Sequence, residues 1–204
     1  MGVGLFVLIS LSFTLISAQQ LQRTAVAHFS SENGIVRGTV LFTETNEGIR
    51  VTGRITGMPP GSYGFHVHEL GDLTSCDNTG AHYNPRGVNH GGPEHNVRHV
   101  GDLGNVHFVS TGSEVVSTMN TIDRLISLRG INNILGRALV LHQSPDDLGL
   151  GGHPDSLTTG NAGPRVACAV IGMHAPVEAW QNSSMRVGPS VLLLLGIAFM
   201  RFFN

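Results

Sequence analysis

An all-β fold of antiparallel strands is what this sequence predicts, on three observations. From Ile49 to Gly57 apolar and polar side chains alternate, with Ile49, Val51 and Ile55 on one face and Arg50, Thr52, Arg54 and Thr56 on the other. Successive strand side chains point to opposite faces, so this period of two marks a half-buried strand. Similar short runs recur along the chain between turn residues, and no long helical periodicity competes with them.

In chain order the runs are Thr24 to Ser30, Ile35 to Thr43, Ile49 to Gly57, the stretch ending in Gly64-Phe65-His66-Val67-His68-Glu69, Glu114 to Met119, Gly136 to His142 and Arg165 to Gly172. Glu32-Asn33-Gly34, Asn46-Glu47-Gly48 and Met58-Pro59-Pro60-Gly61 separate the first four. Glycine in such places supplies positive φ and proline presets the bend. Two stretches do not read as strands: Glu69 to Gly101, rich in Gly, Asn, Pro and His, and Gln143 to Pro164, rich in Gly, Asp and Thr. Loops of that length in a compact domain are usually functional or disordered, and these two carry or face the residues with chemistry.

His66 and His68 are the first of those residues. Two positions apart on a strand, they share a face and stand about 6.6 Å apart along the chain, near enough to converge on one metal ion. A histidine pair exposed on a strand edge would have the same spelling, so the weight comes from the histidines farther along the chain. Their frames are Ala81-His82-Tyr83-Asn84-Pro85, Asn89-His90-Gly91-Gly92-Pro93, Arg98-His99-Val100-Gly101-Asp102 and Leu139-Val140-Leu141-His142-Gln143. Six histidines and one aspartate in this order and spacing resemble the copper/zinc superoxide dismutase family, from about Thr24 to Met173.

That resemblance implies an eight-stranded Greek-key sandwich or barrel with two long functional loops. It assigns copper to His66, His68, His82 and His142, and zinc to His82, His90, His99 and Asp102, one ion of each per chain. Copper cycling between two oxidation states suits imidazole nitrogens with one position left open, whereas zinc suits a closed tetrahedral shell of nitrogen and oxygen. His82 would then serve both metals. Asp146 matches a carboxylate that links His66 to His90, and Arg165 matches an arginine beside the copper that orients an anion. The implied reaction is disproportionation of superoxide to dioxygen and hydrogen peroxide, with His82 and Arg165 as the catalytic residues. The residues leave a second class open: a non-catalytic, dismutase-like copper-binding or carrier module. Family relatives are often dimers and need copper loading, so a homodimer and a copper-loading partner are further expectations of the resemblance.

Composition bounds these readings. The chain of 204 residues has a formal charge of -2 and no basic stripe, which argues against nucleic acid as a partner. All 12 basic residues are arginine. Between Gln143 and Pro164, where many family members carry lysine and glutamate that shape a guiding field, this chain has Ser144, Pro154 and Thr158 and no basic residue. Steering would rest on Arg165, the metals and protonated His153. His28, His95, His107, His153 and His174 match no ligand position.

Residues 1–18 carry no charged side chain and contain Leu5-Phe6-Val7-Leu8-Ile9 before a small-residue exit at Ser17-Ala18, which reads as a secretory signal peptide. Cys76 and Cys168 are the two cysteines, and entry into an oxidising compartment makes one disulfide the economical reading, with two buried thiols as the alternative. In the family this pair ties the metal-binding loop to the last strand. The expected organisation is a dismutase domain over 19–176, a linker over 177–190 and a hydrophobic tail over 191–204. The run Val191 to Met200 is short for a spanning helix, which needs about 20 residues. Asn182-Ser183-Ser184, the spacer to Ser190 and the tail instead approximate a lipid-anchor (GPI) attachment signal, and the same triplet is a glycosylation sequon. A secreted, extracellular location is expected, with the C-terminal tail open between lipid anchoring at the cell surface, a weak membrane segment and a tail left in place.

Overall fold

Alternating burial is realised as strands. The structure, a computed structural model, describes residues 21–30 and 34–181. The expected signal peptide, the Asn182 sequon and the hydrophobic tail lie outside the described residues. Among the described residues there are nine antiparallel strands: β1 (Thr24–Ser30), β2 (Arg37–Glu44), β3 (Ile49–Thr56), β4 (Gly61–His68), β5 (Asp102–Thr111), β6 (Glu114–Asp123), β7 (Ala138–His142), β8 (Arg165–Val170) and β9 (Gly172–His174). In β3 the predicted face is buried, with Ile49, Val51 and Ile55 at 3, 2 and 0% exposure, while Arg50 and Arg54 reach solvent.

The sheet runs in the order β8-β7-β4-β5-β6-β3-β2-β1-β9. β3 pairs with β6 and β4 pairs with β5 and β7, so the chain crosses between the two halves as a Greek key does. The eighth strand is broken at Ile171, and its last three residues form β9, which pairs with β1 and nearly closes the barrel. That break raises the expected eight strands to nine. Phe42, Phe65, Phe108, Ile55, Ile134, Leu139, Leu141 and Ile171 fill the interior. Each such side chain contributes about 1.5–3 kcal/mol by leaving water.

The pattern of alternation and turns marks seven strands and passes over β5. The first residues of β5, Asp102-Leu103-Gly104-Asn105, are polar and glycine-broken, and only Val106 and Phe108 mark an inward face. The two long loops are present. Residues 69–101 contain a 3-10 turn at Cys76–Thr79, and residues 143–164 contain one helical turn, α1 (Ser156–Thr159). Cys76 and Cys168 form a disulfide, so the first loop is fastened to β8 and the two-thiol alternative is set aside.

Candidate metal centre

His66 and His68 project from β4 and His142 ends β7. Pairing slips beside His66 and His142: between Gly64 and His66 against β5, and between Leu141 and His142 against β8. Such bulges re-aim the side chains next to them. The first loop is stitched back to β4 by Val67 N–H to Gly101 O, Tyr83 N–H to Val67 O and Gly101 N–H to Tyr83 O, each at 2.8–2.9 Å, and this carries His82 over His68. His90 N–H donates to Leu157 O at 2.9 Å, which joins the first loop to the second.

Two buried donor sets result. His66, His68, His82 and His142 form one, and His82, His90, His99 and Asp102 the other, with the donor atoms of each set within 4.8 Å of one another. His82 belongs to both. The site residues predicted as ligands are thus all brought together, and Asp146 stands between the sets.

The hydrogen-bond pattern tests whether metals fit. His68 Nδ1 donates to Gly80 O at 2.8 Å and His142 Nδ1 to Gly163 O at 2.9 Å. A neutral imidazole with its proton there has a bare lone pair at Nε2. Those two Nε2 atoms face each other at 3.3 Å, an arrangement that calls for a cation between them. His99 repeats the logic: Nε2 donates to Val88 O at 2.9 Å, so Nδ1 presents a lone pair 3.1 Å from Asp102 Oδ1. His90 Nδ1 lies 3.0 Å from Asp102 Oδ2, and His66 Nδ1 and His82 Nε2 are buried without any hydrogen-bond partner. Buried polar atoms left so cost about 1–3 kcal/mol each, which coordination would remove. The donor sets fit metal ions.

Electrostatics agrees with neutral rings in the first set. Burial, then the neighbouring His82, pushes His66 down to about 3 and His68 down to about 2. Burial likewise brings His142 down to about 4 and lowers His82. His90 differs: burial opposes its charge, but the carboxylates of Asp102 and Asp146 outweigh it and raise it to about 9. Asp102 and Asp146 are both held well below the usual carboxylate range, because the histidine hydrogen bonds overcome burial. The second set is therefore the more electronegative, as suits a closed dication shell.

Asp146 bridges the sets through His66 Nε2 at 2.9 Å and His90 Nε2 at 2.8 Å. Sequence reasoning missed what holds it. Asn105 accepts from Asp146 N–H and donates to its carbonyl, both at 2.8 Å. Gly160 leaves the space: a Cβ there would strike Asp146 Oδ1 and His90 Nε2, and its φ of +65° is itself a glycine conformation. Arg98, also missed, is buried between Asp102 O at 2.7 Å and Asp123 Oδ2 at 2.6 Å. An asparagine in a strand and a glycine in a loop carry no sequence signal of such roles.

Arg165 lies across the first-loop turn, donating to the carbonyls of Cys76, Asp77 and Gly80. It borders an open pocket of about 420 Å³ whose floor includes His68, His82 and His142 and whose mouth carries Asp155 and Thr158. A larger groove of about 580 Å³ between β5 and β6 holds His95 and His107 and none of the donor atoms. His95 takes no part in either set; it accepts from Gly92 N–H at 3.1 Å.

Residues 36–171 match the family described as copper/zinc superoxide dismutase (SODC). The chain belongs to the copper/zinc superoxide dismutase family. Among solved structures it is similar to one described as the clock protein EA4, with 48% sequence identity and a TM-score of 0.70, over 81% of this chain and 100% of that one. The family match spans both donor sets, Asp146 and the second loop.

Proposed function

We propose that this dismutase-family chain is an active extracellular superoxide dismutase that holds one copper and one zinc and serves antioxidant defence. What carries the reading is His82, shared by both donor sets with its Nε2 buried and without a partner at the pocket floor. His66, His68, His82 and His142 would hold copper, and His82, His90, His99 and Asp102 would hold zinc. Copper, when bound, supplies the one-electron couple that takes an electron from one superoxide and returns it to a second, beside the fixed positive charge of zinc.

The chain's own residues do the rest. Arg165 provides a permanent cation at the pocket wall, which attracts a monoanion and turns it toward the histidine floor. The carbonyls of Gly80 and Gly163 hold the rings of His68 and His142 in one tautomer, and Asp146 does so for His66 and His90. His82 Nε2 is the ring atom placed to hold a proton for the reduced product, so that two superoxide ions and two protons yield dioxygen and hydrogen peroxide.

Metal analysis of the purified protein with a superoxide-consumption assay tests this. The expected result is one copper and one zinc per chain with fast turnover, lost on chelation and restored by both metals. The likeness to a clock protein favours a second reading, a dismutase-like copper-binding module without turnover. Stoichiometric copper with no superoxide consumption would select it.

The disulfide supports the expected extracellular location, and the 19–176 domain with a C-terminal tether remains the organisation we propose. A homodimer, as the family resemblance implies, is part of the proposal. A monomer mass by sedimentation would remove that part.

A further inference from the structure

The Cys76–Thr79 turn ends in a side chain that the proposed reaction does not use. Thr79 is fully buried, and its Oγ1 donates to Cys76 O at 2.8 Å and accepts from Arg165 Nη1 at 3.1 Å. The same Nη1 also donates to Cys76 O at 2.9 Å and Asp77 O at 2.8 Å, so two hydrogens are shared among three acceptors. Nη2 donates to Gly80 O at 2.6 Å, the carbonyl that also takes His68 Nδ1 at 2.8 Å. With Nη1 and one Nη2 hydrogen engaged, the guanidinium has its Nε–H and one further Nη2–H left for an anion. Its orientation therefore decides whether those two donors face the pocket. The three carbonyls are main chain and would be present with any residue at position 79. Only the hydroxyl is a choice of side chain.

We propose that Thr79 is a positioning residue of the anion site: its buried hydroxyl aims Arg165, and through the shared Gly80 carbonyl steadies the ring of His68. The inference rests on the reading of Arg165 as the anion-orienting cation. Loss of the hydroxyl removes the one acceptor on Nη1 that a side chain supplies, so the guanidinium settles toward the carbonyls of Cys76 and Asp77 and its Nε–H and free Nη2–H shift relative to the pocket.

Azide is the probe, titrated into copper- and zinc-loaded full chain and followed by the visible absorption of copper(II). Thr79→Val removes the hydroxyl at nearly constant shape, and Thr79→Ala does so without a methyl beside the guanidinium should the fold reject valine. Both should weaken azide binding about five-fold, the worth of one net hydrogen bond. Thr79→Ser should recover the affinity, with copper and zinc content the same in all variants. Azide affinity of Thr79→Val and Thr79→Ala equal to that of the unsubstituted protein would overturn the proposal, whatever the turnover. Loaded protein that binds azide in this Thr79-dependent way yet consumes no superoxide would uphold it and sink the dismutase reading instead.

Discussion

Asn105 grips both main-chain polar groups of Asp146, accepting from its N–H and donating to its carbonyl, each at 2.8 Å. The strand β5 thereby sets the height of a loop carboxylate that joins the two donor sets. Outer carboxylates of this kind typically change metal affinity by about 10–100-fold. Asp146→Ala should lose that much zinc and copper affinity in chelator competition, and Asn105→Ala should shift it in the same direction by less. Unchanged affinity in Asp146→Ala would show that the link is not what orients His66 and His90.

Acid should destabilise the metal-free protein. His66, His68, His82 and His142 are held below the ordinary histidine value of 6.5, at about 3, 2 and 4 for His66, His68 and His142. Between 6.5 and those values the unfolded chain binds more protons than the native one, so stability falls as pH falls through that window. His90, raised to about 9, acts oppositely, its contribution fading as pH rises from 6.5 to 9. Below 6.5 His90 is charged in both states, so the four lowered rings set the sign there. Thermal midpoints of metal-stripped protein should drop steadily from pH 7 to pH 4, and a flat profile would show that the rings are already charged.

Superoxide capture should be slow and weakly salt-dependent beside that of lysine-bearing relatives. Arg165 is the cation on the pocket wall, while Asp155 at the mouth bears the wrong sign for an anion. A field with so few charges is screened little further once the Debye length is about 8 Å. Pulse radiolysis across ionic strength measures it, and a decline as steep as in those relatives would refute the point.

Removing the Cys76–Cys168 bond should cost stability and function together. The bond closes a sequence separation of 92 residues, for which chain entropy gives about 4–5 kcal/mol. It also pins the turn whose carbonyls hold Arg165. Cys168→Ser should lower the denaturation free energy by that order and weaken anion binding. A loss under about 1 kcal/mol in urea titration would show that the unfolded chain gains little freedom.

The strand pattern was legible where one face meets water, as in β3, and illegible where polar residues belong to a site. β5 opens on Asp102, which is buried among histidines, so its period of two is masked at the end where it matters most. The break at Ile171 that makes β9 was hidden for the opposite reason, since the run through it is continuously apolar and nothing marks a change of partner.

The residues of the two donor sets were readable because metal chemistry restricts the residue types to histidine and aspartate and leaves them in recognisable order. Their outer partners were not. The carbonyls of Gly80, Gly163 and Val88 fix three ring tautomers, and a carbonyl belongs to every residue, so no spelling announces it. Which residue types can coordinate is a local property of side chains and was legible in the sequence. Which nitrogen of each ring faces inward, and which main-chain groups and which glycine make room for it, depends on segments brought together from across the barrel, and only tertiary packing decided that.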